Sequence, residues 1–397
     1  MTVSLPTFEE LGVAPELTGA LAERGIHRPF PIQSLTIPDA LAGRDVCGKA
    51  KTGSGKTLAF GLPLLQLVGD AAPAAPSALV LVPTRELAIQ VHQVLEPLGE
   101  VAGTRLAVVY GGAPLEKQAR RLAAGVEMVV ATPGRLIDLL DRKALSLAAL
   151  DHVVLDEADR MADMGFLPQV EWVLRHVGGP HQTLLFSATL DGAVKVLVDR
   201  YQRDPVFYEV ESATITVEEM AHRFLLVHEM DKVLVAAAIV RSAHRTILFT
   251  RTKRAADRIA HGLRKEGVKA SAIHGDLPQR VREEAMHGFS SGEVQALVAT
   301  DVAARGLDIE DVEVVVHYDP PDDHKSYLHR SGRTARAGEA GLAVTLVLWN
   351  EELEVKRLQS RIGIKVPLVE MFSNDPRLAD LTAWDPEPDA GRASRRR

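Results

Sequence analysis

Two tandem α/β domains, each a doubly wound parallel sheet, are the fold class this sequence predicts. Three observations predict it. Short β-branched or leucine-rich runs alternate with longer amphipathic stretches, this rhythm occurs twice on either side of a polar break, and 397 residues exceed the roughly 100 to 200 expected of one domain. Unbroken apolar runs suit parallel strands covered by helices on both faces, whereas strict alternation would mark a half-exposed sheet.

In chain order, the apolar pair Val46-Cys47 predicts the first strand, with a glycine-rich turn and a helical run from Leu58 after it. Residues 78–82 predict the next strand, followed by a helical pattern from Thr84; residues 128–131 predict another, followed by a helix over 133–140. Strands at 152–155 and 183–186 complete the first series. Glu211, Ser212, Thr214, Thr216, Glu218 and Glu219 sustain no apolar period, so a linker is expected at 209–220 and the first domain at 1–208. The second domain, 221–372, has strands predicted near 223–227, 246–250, 294–300, 312–318 and 342–348. No sequence repeat relates the halves. From Ser373 onward, charged residues with Pro376, Pro386 and Pro388 stand among few apolar ones, which predicts a mobile tail over 373–397.

Composition narrows the function classes. With 46 Lys+Arg against 53 Asp+Glu, the net charge is -7, so a nucleic-acid partner must be held by local basic patches and not by a global field. The single cysteine, Cys47, excludes an intrachain disulfide and a multi-thiolate metal site, and reads as a buried strand residue. Glu9 and Glu10 fall where a signal peptide would be apolar, and the longest apolar stretch, 233–240, is far short of the ~20 residues that span a bilayer. A cytoplasmic protein without a membrane segment is expected.

Ala50-Lys51-Thr52-Gly53-Ser54-Gly55-Lys56-Thr57 lies between a strand and a helix, the context a phosphate-binding loop requires. Its glycines let backbone N–H groups approach phosphates, Lys56 can reach the β/γ oxygens, and the Thr57 hydroxyl can bind Mg²⁺. Thr52, Gly53, Ser54 and Gly55 complete the candidate ATP loop. The strict motif has glycine where Ala50 stands. A carboxylate at a neighbouring strand end is the second requirement, and Asp156-Glu157-Ala158-Asp159 supplies it. Asp156 is suited to Mg²⁺, Glu157 to orienting or deprotonating the attacking water.

Those four residues, with the alanine-led loop, resemble the DEAD-box ATP-dependent RNA helicases over roughly residues 8–366. Further family signatures follow in order: Pro29-Phe30-Pro31-Ile32-Gln33, Pro83-Thr84-Arg85-Glu86-Leu87, Gly111-Gly112, Thr132-Pro133-Gly134-Arg135 and Ser187-Ala188-Thr189. After the linker come Ile247-Leu248-Phe249-Thr250, His274-Gly275-Asp276, the run from Ala299 to Asp308, and His329-Arg330-Ser331-Gly332-Arg333-Thr334-Ala335-Arg336, with alanine at 335 where the family has glycine.

The resemblance implies two RecA-like domains that close on ATP·Mg²⁺ and single-stranded RNA. It makes Gln33 the adenine reader, whose carbonyl and amide match an edge offering a donor beside an acceptor, and places Phe8 near the base. Arg333 and Arg336, three apart on a predicted helix, look like arginine fingers, which with Lys56 and Glu157 make the catalytic set. Asp308 is assigned the ribose; Asp159, Ser187, Thr189 and His329 are assigned interdomain coupling. Thr84, Arg85, Gly112, Thr132, Arg135, Gly275, Gln279, Arg282 and Thr300 match RNA-backbone contacts, which carry no base information; Thr84 and Thr132 also fit as helix caps. The implied activity is RNA-stimulated ATP hydrolysis with local strand separation by a monomeric core. An ATP-gated RNA clamp is the alternative, and a DNA translocase a third reading.

Overall fold

Unbroken apolar tetrads become central strands because both of their faces are covered. The computed structural model describes residues 6–50, 53–69, 71–190, 192–210, 220–304, 312–334 and 341–386, without the side chains of 279, 302, 304 and 325. Thr52, Asp308, Arg336, the Gln279 side chain and residues 387–397 of the expected tail lie outside the described residues. The chain divides into two units, 1–212 and 213–397.

The first unit's strands are β1 (Val46–Lys49), β2 (Ala78–Leu81), β3 (Leu106–Val109), β4 (Met128–Ala131), β5 (His152–Asp156), β6 (Gln182–Ser187) and β7 (Val206–Glu209). They pair in the order β3-β4-β2-β5-β6-β1-β7, every pairing parallel. Successive side chains point to opposite faces. Val80, Val130, Val154, Leu184 and Phe186 therefore join one apolar layer, while Leu79, Leu81, Val129, Val153 and Leu155 join the other. Each fully buried Val, Leu or Phe contributes roughly 1.5–3 kcal/mol relative to exposure. Cys47 is fully buried on β1, and burial pushes its thiol up to about 12, so it is an inert core residue.

The second unit repeats the plan. Its strands β8 (Ala221–Leu226), β9 (Thr246–Thr250), β10 (Ala270–Ile273), β11 (Ala296–Thr300), β12 (Val314–His317), β13 (Leu342–Val347) and β14 (Leu368–Glu370) pair as β10-β11-β9-β12-β13-β8-β14, again all parallel. Counted from each unit's first strand, both sheets read 3-4-2-5-6-1-7. The halves share a topology without sharing a sequence.

The four strands that periodicity did not predict, β3, β7, β10 and β14, are the four sheet edges. An edge strand has one neighbour and less covering, so its pattern is short or mixed: Phe207 on β7 is 59% exposed, and β10 includes Ser271. The segment from Ser373, expected to be mobile, is docked over its described part. Through Pro386 it packs on the second unit: Ser373 Oγ and N–H donate to Asp231 at 2.7 Å, Leu378 and Leu381 are buried, and Arg223 donates to the carbonyls of Leu381 and Trp384 at 2.8 Å while stacking on the Trp384 ring. Three apolar anchors suffice to dock the segment, and average composition hides them.

Candidate functional site

The loop after β1 turns into the helix Lys56–Leu67 through two left-handed residues, Gly53 (φ 82°) and Gly55 (φ 85°), a conformation that favours glycine. A Cβ at Gly55 would also lie 2.4 Å from Gln33 Nε2 and 2.5 Å from the Phe30 ring. Lys56 is buried, and its ammonium donates to the Ala50 carbonyl at 3.0 Å. Ser54 and Thr57 are partly exposed on the same turn. Lys56→Ala removes the ammonium at the start of the helix and is expected to lower ATP turnover at least about a hundredfold; steady-state hydrolysis under saturating ATP measures it, and an unchanged rate would rule this loop out.

Gln33 has a task that its sequence position did not reveal. It is 1% exposed, its carbonyl oxygen accepts from Phe30 N–H at 2.8 Å, and its amide donates to the Gly55 carbonyl at 2.9 Å. It fastens the phosphate loop to the helix Pro31–Leu41. Phe8, expected beside the base, is 3% exposed and belongs to the first unit's apolar core with Leu11, Leu17 and Leu21. Apolar packing claims the ring. Phe30 is the aromatic beside this corner that is exposed, at 55%.

Asp156 ends β5 and Lys49 ends β1, with β6 between them. The last residue of β6, Ser187, links the two: its carbonyl accepts from Ala50 N–H at 2.9 Å and its hydroxyl accepts from Asp159 N–H at 3.2 Å. Asp159 contributes through its backbone, and its side chain remains partly exposed, as does Thr189. Burial pushes the Asp156 carboxyl up to about 6, with Lys56 opposing and Glu157 adding to the rise. Glu157 is nearly buried in a left-handed conformation (φ 54°), an arrangement that costs a non-glycine residue of order 1–3 kcal/mol and typifies functional turns. Its N–H donates to Asp156 Oδ1 at 2.9 Å, and its carboxylate pairs with Arg160 Nη1 at 2.6 Å. Arg160 was missed in the sequence, although its i+3 helical spacing from Glu157 was the available signal.

The other first-unit candidates follow the neighbouring strands β3, β4 and β2. Thr84 caps the helix Arg85–Ala102 by accepting from Leu87 N–H at 3.3 Å; Thr132 occupies the corresponding position before Pro133–Asp141 without a side-chain cap bond. Gly112 is left-handed (φ 86°), and a Cβ there would come within 2.7 Å of Arg85 Nη1. Arg85 lies over the Tyr110 ring at 5.9 Å, and Arg135 Nη1 donates to the Ala113 carbonyl at 2.9 Å. Residues 110–113 thus gather both arginines at one sheet edge. Ligands of parallel α/β sheets bind at these carboxyl ends, here with β5-β6-β1 presenting the glycine-rich loop, Lys56 and two carboxylates and β2-β4-β3 presenting hydroxyls, a glycine and guanidinium groups.

In the second unit, Gly275 follows β10 beside the Lys253–Asp276 ion pair (2.5 Å), Thr300 ends β11 with a buried hydroxyl that finds no hydrogen-bond partner among the described residues, and Arg282 lies on the helix Gln279–Ser290. His329 is exposed on the helix His324–Ser331, and Arg333 follows that helix. Arg333 is buried at 8% exposure, beside Thr334, which donates to the Glu313 carbonyl at 2.9 Å. Among the described residues no helix is long and apolar enough to cross a membrane.

A family model described as DEAD/DEAH box helicase matches residues 30–197, and one described as helicase conserved C-terminal domain matches residues 226–338. The chain is 43% identical over 345 residues to the DEAD-box ATP-dependent RNA helicase CshA of Geobacillus kaustophilus, covering 86% of this chain and 74% of that one. It is 40% identical over 355 residues to CshA of Bacillus subtilis, covering 89% and 72%. Among solved structures, it resembles S. cerevisiae Dbp5 bound to RNA and ADP BeF3, with a TM-score of 0.78, 30% identity and coverage of 93% of this chain and 96% of that one. It also resembles Mss116p bound to ssRNA and AMP-PNP, with a TM-score of 0.81, 26% identity and coverage of 95% and 82%.

Proposed function

The chain belongs to the DEAD-box family of ATP-dependent RNA helicases, and from that premise we propose that it hydrolyses ATP with Mg²⁺ in response to single-stranded RNA and uses the cycle to separate short duplexes or remodel RNA–protein complexes. The observation that carries this reading is Ser187, whose two hydrogen bonds tie the phosphate loop at Ala50 to Asp159 in the acidic turn after β5.

In this reading Gly53, Gly55 and Lys56 hold the phosphates, Gln33 exchanges its buried bonds to Phe30 and Gly55 for the adenine edge, and Glu157 aligns the attacking water. Thr57 and Asp156 are the metal donors. Both offer hard oxygen, two protein ligands suit a cation that keeps waters and phosphate oxygens, and the buried Asp156 carboxylate gains from a nearby positive charge. Bound Mg²⁺ supplies neutralisation of phosphate charge. Arg333 and Arg336 add positive charge to the transferring phosphoryl group, and Asp308 takes the ribose. Thr84, Arg85, Gly112, Thr132 and Arg135 in the first unit, and Gly275, Gln279, Arg282 and Thr300 in the second, contact RNA phosphate and sugar, so binding is independent of sequence. The likeness to Dbp5 and Mss116p, both solved bound to RNA, supports RNA binding.

The test is ATP turnover with single-stranded RNA, with DNA of the same sequence and without nucleic acid, beside strand separation of a short RNA duplex. RNA is expected to raise turnover well above both other rates, and the duplex to part only when ATP is present. Equal stimulation by DNA would overturn the RNA assignment. ATP-dependent retention of RNA without strand separation would make the protein a clamp.

A further inference from the structure

Beneath the helix His324–Ser331 lies a buried polar cluster that the preceding reading leaves unused. Tyr327 is fully buried; its ring stacks on His317 at 4.6 Å and on Phe224 at 6.1 Å, and its hydroxyl lies 2.8 Å from His222 Nδ1. His317, the last residue of β12 and also fully buried, places Nε2 3.0 Å from Ser331 Oγ. Between these anchors, Arg330 donates to both carboxylate oxygens of Asp301 at 2.6 and 2.7 Å and to the Asp319 carbonyl at 2.8 Å, above the Phe249 ring. Residues 327, 330 and 331 of one short helix are thereby tied to β8, β12 and the end of β11.

The chemistry of the cluster defines its state. His317 Nδ1 has no hydrogen-bond partner among the described residues. The neutral ring therefore carries its proton on Nε2 and donates it to Ser331, because the other tautomer would bury an unpaired N–H. A second proton would have to sit on Nδ1 without an acceptor, facing the Arg330 guanidinium on the helix and His222 on β8. Tyr327, Ser331 and the Phe249 ring bring no compensating negative charge. Burial, then Arg330, then His222 hold the imidazole well below its usual range. Such groups are costly to bury, and an apolar side chain would fill the same volume without the penalty. What directional bonds add over apolar packing is one defined seat.

We propose that His317 and Tyr327 are positioning residues for ATP turnover: bonded to Ser331 and His222, they hold the helix His324–Ser331 in the seat from which Arg333 acts on phosphate. The inference rests on the assignment of Arg333 made above. His317 and Tyr327 are fully buried, so their loss should alter the rate of the bound complex and not its formation.

The experiment compares full-length wild type with His317→Leu, His317→Gln, Tyr327→Phe and Arg333→Ala in RNA-stimulated ATP turnover, with thermal melting of each. His317→Leu fills the space without a donor, whereas His317→Gln keeps an amide N–H at the position of Nε2. His317→Leu and Tyr327→Phe are expected to lower kcat about tenfold or more, since small misplacements of a catalytic group carry such costs, while KM for ATP stays within about twofold. His317→Gln should recover most of the rate. Wild-type kcat in both His317→Leu and Tyr327→Phe overturns the proposal, as does a loss in which kcat, KM and melting temperature fall together without rescue by glutamine. A wild-type rate in Arg333→Ala instead removes the assignment on which the proposal rests, so the two failures are distinguishable.

Discussion

Glu157→Gln is expected to retain ATP and RNA while slowing hydrolysis by about 10²- to 10⁴-fold, the usual contribution of a general base. The amide preserves the shape of the side chain, and its oxygen can still accept from Arg160, which holds Glu157 in the native protein at 2.6 Å. What it loses is the negative charge that pairs with Arg160 and, with it, the capacity to take a proton from water. The backbone at 157 is already left-handed, so the substitution adds no new conformational demand. Product formation in a single turnover measures the chemical step, and RNA release in excess ATP measures its consequence. A complex that hydrolyses slowly and holds RNA longer than wild type is the expected pair. Fast hydrolysis would remove Glu157 from the chemistry; slow hydrolysis with wild-type RNA release would show that turnover does not govern release.

Arg333→Ala is expected to lower RNA-stimulated turnover by roughly 10³- to 10⁵-fold, the range over which an arginine supplied to a phosphoryl-transfer site acts. Because Arg333 is buried, alanine also removes packing, and the lysine variant is needed beside it. Arg333→Lys keeps the charge and most of the stem but loses the planar fork that binds two oxygens at once. Both variants should therefore be strongly slowed while the lysine form melts close to wild type. If Arg333→Lys turns over as wild type does, the guanidinium fork has no special role; if Arg333→Ala does as well, Arg333 is structural.

Residues whose chemistry depends on chain neighbours were legible from sequence. The glycines and Lys56 act within one turn, Asp156 and Glu157 are adjacent, and central strands such as β2, β4 and β9 show apolar runs because helices cover both faces. Edge strands were not legible, because one open side relaxes the pattern. Three features depended on distant partners. Phe8 belongs to a core assembled from residues up to 186. Gln33 bonds a carbonyl 22 residues away. Leu378 and Leu381 dock a segment whose composition reads as polar.

By itself the sequence determined which chemical groups this protein possesses and the short-range order in which it presents them: a loop that can wrap phosphate, a carboxylate pair at a strand end, and arginines and hydroxyls in motifs that resemble one family. Only the tertiary structure decided which of those motifs are neighbours. Strand order is not sequence order, and the arrangement 3-4-2-5-6-1-7 inserts β6 between β5 and β1. Ser187 can bond to both the loop and the acidic turn only because of that insertion. The same order gathers β3, β4 and β2 on the other flank, where Gly112, Arg85 and Arg135 meet. The physical reason is that a parallel sheet brings the ends of its strands to one edge, while the crossover connections, satisfied by burial over whole helices and sheets, choose which ends lie side by side.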